Sequence, residues 1–236
     1  MVEKLIKEEE VVDWFRIVST SHVAKESIIK IKKVYESFQP DAIAIELDKQ
    51  RLHSLLSEAK EDYSIRLIRQ TGVMGYLFLL LGRYVQKKLG NIVNTKPGAD
   101  MKAGVELAVS NKKPLLLVDQ PINITMKKLN KALGFKFVWS LIKDFFQSLF
   151  PKRRKELKKK LSKLDLNKIP KEKLVLELVE EMKEKYPGLY RVLLEDRNKV
   201  ISKNLKKYHE LNPDKKVLVI LGAAHARGIK ELLSKN

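Results

Sequence analysis

Apolar positions in this chain follow two rhythms. Short continuous runs of strand length stand at residues 14–19, 42–47, 115–118 and 216–221. Between them apolar residues recur at helical spacing, as in Ile28, Ile31, Val34, Tyr35 and Phe38. Runs of four to six β-branched and aliphatic residues bounded by turn residues predict buried strands, and the three-to-four spacing predicts helices packed on a sheet. The first 50 residues thus read as strand, helix (25–38), strand, with Pro40-Asp41 as the break between the last two. That spacing suits a right-handed βαβ unit with parallel strands.

Residues 49–90 read as helical, with Leu52, Leu55 and Leu56 on one face and an almost wholly apolar segment at 72–85. Pro97-Gly98 interrupts the chain before a helix from Met101 to Ser110, with Asp100 placed to cap it. Asn111-Lys112-Lys113-Pro114 leads into the strand Leu115-Leu116-Leu117-Val118. From 126 to 210 no strand pattern occurs, and amphipathic stretches alternate with breaks at Pro151, Pro170 and Pro187. The fold class expected is α/β: one domain over 12–236 with a mainly parallel central sheet of βα units. An all-helical insertion is expected inside it over roughly 126–190.

One local pattern occurs at both ends. Phe15 to Thr20 is followed by Ser21-His22 and a helix; Val217 to Leu221 is followed by Gly222-Ala223-Ala224-His225 and a helix. Only four histidines exist, and two of them stand just past a strand. Open parallel sheets bind ligands beyond the carboxyl ends of their strands, so both imidazoles are expected at one crevice. The second strand delivers Glu46 to that edge, with Arg51 a turn further on, and the third delivers Asp119.

Two neutral histidines and a carboxylate make a usable ligand set for a divalent metal (Zn, Mn, Co or Fe) with positions left for water and substrate. Such a metal lowers the pKa of its bound water and makes hydroxide near neutral pH. The same residues support a metal-free reading, with His22 as general base, Glu46 orienting it and Arg51 facing developing charge. An ordinary structural role stands beside each assignment: a helix-start acid for Glu46, a pairing with Asp48 for Arg51, turn chemistry for Asp119. With no cysteine in the chain, thiolate chemistry and disulfides are excluded.

The formal net charge of +19 is concentrated. Between Lys127 and Lys173 there are 16 Lys or Arg against four acids, which places +12 of it in the insertion. A solvated helix face is the first reading of this stretch. Contact of residues 135–163 with an anionic membrane surface is the second, because six aromatic residues lie between Phe135 and Phe150. Nucleic acid ranks last, since no recognition motif accompanies the charge. The charged amino terminus lacks the apolar core of a signal peptide, and the apolar stretch from Gly72 to Gly82 is about half of the ~20 residues a membrane span needs. A cytoplasmic or peripheral-membrane location is expected. Abundant Lys and Glu without Cys is also a composition of heat-adapted proteins.

Several motifs in order carry a resemblance: Ser19-Thr20-Ser21-His22, Pro40-Asp41 to Glu46-Leu47 with Arg51, Gly98-Ala99-Asp100-Met101, Asp119-Gln120-Pro121, Glu195-Asp196-Arg197, and Gly222-Ala223-Ala224-His225 with Gly228. Together, over about residues 14–233, they resemble the TraB/PrgY pheromone-shutdown family, related to the TIKI metalloproteases, GumN and the erythromycin-esterase/ChaN-like proteins. This chain has Ser19 where the family has the Gly of its first GxxH motif, and Gln120 and Lys128 where Arg is usual. The resemblance implies a metal-dependent, TIKI-like peptidase. His22, Glu46 and His225 then match the active-site and metal-ligand positions, and Arg51 is their companion. Asp119, Glu195 and Arg197 are expected at the substrate, with a structural ion pair as the other reading of the last two. The rival expectation is a non-catalytic protein that binds or sequesters a peptide. Self-association is a further expected partner interaction. In many relatives membrane-spanning segments follow the second GxxH. The expectation here is either a member without them or part of a longer chain.

Overall fold

A computed structural model of the chain describes residues 13–20, 24–57, 72, 76, 98–132 and 171–234. They fall into two compact units, one of 13–20, 24–57, 98–122 and 194–234, the other of 72, 76, 123–132 and 171–193. The first unit holds the sheet. Its strands are β1 (Phe15–Thr20), β2 (Ala42–Ile45), β3 (Leu115–Leu117) and β4 (Val217–Gly222), in the order β1-β4-β2-β3, all parallel. The expected α/β class and parallel sheet are thus present, and each strand lies within two residues of its sequence-read limits.

Strand β4 runs between β1 and β2, with Val217 opposite both Phe15 and Ala42. Its run Val217-Leu218-Val219-Ile220-Leu221 is fully buried because both faces of the sheet are covered. The alternation of side chains sorts these residues between two cores. Leu218 and Ile220 join Val18, Ile43 and Ile45 beneath helices α1 (Ala24–Phe38) and α3 (Ala99–Ser110), which contribute Ile31, Val34, Met101 and Val105. Helix α2 (Lys49–Ser57) follows β2. Val217, Val219 and Leu221 join Phe15 and Ala44 on the opposite face, beneath α7 (Asp196–Leu211) and α8 (Ala223–Leu233), which contribute Ile201, Leu205, Ile229 and Leu233. Trp14 stacks on His209 at this face, with ring centroids 4.2 Å apart.

The start of α3 corrects one expectation. Gly98, not Asp100, precedes the helix, and its φ of 81° is a left-handed conformation that suits glycine. Asp100 is buried inside the first turn instead. Its Oδ2 accepts the Thr20 hydroxyl at 2.5 Å and its Oδ1 accepts the Met101 N–H at 2.9 Å. A buried hydroxyl at the end of β1 needs an acceptor, and that demand prevails over capping.

In the second unit, α4 (Ile122–Ala132) contributes residues 123–132, including the buried Met126 and Leu129. Helices α5 (Lys171–Lys185) and α6 (Pro187–Tyr190) pack together. A π-helical turn, Arg191–Glu195, then leads into α7. The expected helices beyond Ser57 up to residue 90, and the most basic part of the insertion including 135–163, lie outside the described residues apart from Gly72 and Tyr76, which are helical. Among the described residues no helix is long and apolar enough to cross a membrane.

Helix α3 approaches the sheet so closely at Gly104 that an added Cβ would stand 2.6 Å from Ile220 Cδ1 and 3.2 Å from Ile45 Cγ2. Gly104→Val is therefore expected to cost about 1–3 kcal/mol through overpacking, read as a lower urea midpoint, while substitution of the exposed Glu106 by Gln leaves it unchanged. An unaltered midpoint for the Val variant would refute this account of the helix–sheet contact.

Candidate functional site

Parallel strands place every strand exit on one edge, and a cluster of charged side chains of the first unit collects there. Thr20 and Gly222 are register partners, so β1 and β4 end side by side. Ser19 lies inside β1, in extended backbone that any residue adopts. His22 falls outside the described residues.

Glu46 is the first residue beyond β2. Its Oε2 accepts the Gly222 N–H at 2.8 Å, where β4 turns directly into α8. A side chain at Gly222 would crowd this carboxylate, since a Cβ would stand 3.3 Å from Oε2. Glu46 Oε1 accepts from Arg197 Nη2 at 2.5 Å and lies 3.2 Å from His225 Nε2. His225 is the third residue of α8, inside its first turn, because the helix begins at Ala223 without the short turn expected from sequence. The ring is buried, and its Nδ1 is 2.6 Å from Asn198 Oδ1 on α7.

Arg197 Nη2 also donates to Asp119 Oδ2, with Arg197 Nε 3.2 Å from both Asp119 oxygens. Asp119, two residues past β3, receives Arg51 Nη2 at 2.5 Å on the same oxygen. Arg51 Nε in turn donates to Asp48 Oδ2 at 2.9 Å. Asp48 caps α2, with Oδ1 accepting the N–H groups of Gln50 and Arg51, and its Oδ2 also takes the Ile122 N–H at 3.1 Å. The result is a chain of alternating charge: Glu46, Arg197, Asp119, Arg51, Asp48.

Burial pushes the Glu46 carboxyl up, but the adjoining His225 ring and Arg197 guanidinium together with the Gly222 N–H hold it well below the usual carboxylate range. Asp119 is likewise raised by burial and lowered further by Arg197 and Arg51, with a net downward shift. For Arg197, burial disfavours the charge, and Glu46 and Asp119 more than reverse that, so it stays a cation. Three carboxylates face two guanidinium groups. The set therefore carries one formal negative charge, which an imidazolium at His225 or a bound cation would neutralise.

Of the residues expected from sequence, the structure brings together Glu46, Arg51, Asp119, Arg197 and His225. Glu195 is not brought in: its carboxylate meets Lys199 at 2.9 Å on the exposed side of the helix. Asn198 and Asp48 were missed as site residues. Asn198 carried a signal, because Leu194, Asn198, Ile201 and Leu205 form one buried stripe at helical spacing, and an amide in such a stripe requires a partner.

The donor pair is of a type that a divalent ion accepts, with Arg197 Nη2 already standing on the same Glu46 oxygen. Imidazole nitrogen and carboxylate oxygen are suitable ligands, and bonds of about 2.1 Å in tetrahedral array put two ligand atoms about 3.4 Å apart, against the 3.2 Å between His225 Nε2 and Glu46 Oε1. Among the described residues no third His or acidic group joins these two.

Because the folded Asp119 pKa is depressed, its contribution to stability is complete above the unfolded value near ~3.9 and is lost as pH falls through the folded value. Asp119→Asn is expected to lower stability at pH 7 by on the order of 3 kcal/mol, and to flatten the loss of stability below about pH 4, both measured by urea unfolding across a pH series. An acid limb identical to that of the parent protein would contradict this.

A profile of the TraB/PrgY/gumN family matches residues 7–236. An uncharacterized protein of Methanocaldococcus jannaschii is 31% identical over 226 residues, covering 93% of this chain and 53% of that protein. TraB domain-containing proteins of Mus musculus and Homo sapiens are 27% and 26% identical over 195 residues, each match covering 77% of this chain and 49% of the relative. The chain spans about half the length of these curated relatives. With a match along almost all of its residues, the chain belongs to the TraB/PrgY/gumN family.

Proposed function

We propose that this chain is a metal-dependent hydrolase of peptides or small proteins, with His225 and Glu46 as two ligands and His22 as the third. The observation that supports it is the buried contact of His225 Nε2 with Glu46 Oε1 at the carboxyl edge of a parallel sheet. These residues would hold a divalent ion, and the chemistry it would supply there is an acidified water and polarisation of a carbonyl.

The residues divide the remaining work by their charge states. Glu46 is held too low in pKa to be an effective general base near neutral pH, so it serves as a permanent anion. Arg197 fixes the Glu46 carboxylate against Asp119. Arg51, with 28% of its side chain exposed, is the most open cation of the cluster and faces any charge that develops on the substrate.

A second reading has one observation in its favour. Arg197 already sits on the Glu46 oxygen nearest His225, which suits a metal-free site where the Glu46 anion orients a histidine that transfers the proton. A non-catalytic peptide binder built on the same fold is the third.

The three part on metal content and turnover. Protein loaded with Zn²⁺ or Mn²⁺ and dialysed is expected to retain about one equivalent per site, to lose it in His225→Ala, and to cleave a fluorogenic peptide library at least ~10²-fold faster than that variant. Full metal retention by His225→Ala would overturn the ligand assignment. Cleavage that survives chelation selects the metal-free pair, and peptide binding without turnover selects the sequestering protein.

A further inference from the structure

Asn198 and Gly228 do nothing for the sheet, yet both are arranged around His225. Asn198 is 95% buried on α7, and its carboxamide oxygen stands 2.6 Å from His225 Nδ1. An amide oxygen only accepts, so this contact requires the proton on Nδ1. Gly228 is the residue three positions after His225, on the same face of α8. Glycine inside a helix is unfavourable by about 0.5–1 kcal/mol relative to Ala, and Gly228 has no left-handed backbone that would call for it. The reason is space. A Cβ at Gly228 would stand 2.4 Å from Asn198 Nδ2, a clash with the amide itself.

We infer that Asn198 is the positioning residue of this site: it holds a proton on His225 Nδ1 and aims Nε2 at Glu46, in a slot that the absence of a side chain at Gly228 keeps open. The inference deepens the hydrolase reading by stating how its imidazole is presented, since an Nδ1–H ring offers its Nε2 lone pair to a cation or a proton. The geometry stands without that reading. A protein that never cleaved a peptide would still carry this tautomer.

The decisive measurement is therefore spectroscopic. In protein labelled with ¹⁵N at histidine, long-range ¹H–¹⁵N correlation near pH 8 separates a protonated ring nitrogen from an unprotonated one. His225→Gln identifies the His225 signals among the four histidines. The parent protein is expected to show Nδ1 protonated, as its contact with the Asn198 oxygen requires. Asn198→Asp, which keeps an acceptor oxygen, is expected to preserve that pattern. Asn198→Ala and Gly228→Ala, which remove or displace the acceptor, are expected to shift His225 toward Nε2–H. The same two substitutions should weaken Zn²⁺ or Mn²⁺ binding, followed by calorimetry, by about 10–100-fold. A bare Nδ1 in the parent, or an Nδ1 proton unmoved by Asn198→Ala and Gly228→Ala, would overturn the inference. Because Asn198→Asp and Gly228→Ala predict opposite results, that comparison decides even if Asn198→Ala does not fold. Absence of metal binding or turnover in the parent, with the tautomers as stated, would remove only the hydrolase reading.

Discussion

The insertion of β4 between β1 and β2 is the constraint on which the rest of the first unit depends. This strand hydrogen-bonds to two partners that precede it by most of the chain, and it supplies the central apolar layer to both cores. Without it, β1 and β2 share no ladder. With it, the last turn of the sheet brings Gly222 against Glu46, 176 residues away, and leaves His225 one helical turn further on. Pairings of such sequence separation carry a loop-closure entropy cost and raise the contact order of the fold. The candidate site is accordingly assembled only when the core is.

Buried charge is the second constraint. Glu46, Asp119 and Asp48 alternate with Arg197 and Arg51, and each guanidinium bridges two carboxylates. Desolvating ions is costly, and removing one member of such a set leaves its neighbours uncompensated. The network contributes orientation more than stability: it ties the exits of β2 and β3 to the starts of α2 and α7. Each carboxylate that could serve chemistry is held by a cation on a different element. Asp48 shows the economy of the arrangement, since one side chain caps α2, pairs with Arg51 and binds the Ile122 N–H.

The strands were legible because continuous aliphatic runs are what a sheet covered on both faces demands. Glu46, Arg51, Asp119 and His225 were legible as well, because each stands within a few residues of a strand exit and parallel strands share one edge. Details that depend on partners were not. Asp100 reads as a cap in one dimension and is a buried acceptor for Thr20 in three. Glu195 and Arg197 look equivalent two residues apart, yet helical rotation sends one to solvent with Lys199 and the other into the carboxylates.

What the chain determines by itself is periodic and local: which segments are strands or helices, which residues stand at their ends, and which family's motifs they form. Only the tertiary structure decides the order β1-β4-β2-β3, and with it which end group meets which. Strand order turns on long-range packing that no short window of sequence contains. For the same reason the amide of Asn198, buried in a helix stripe 27 residues before His225, acquires its meaning only when α7 and α8 lie side by side.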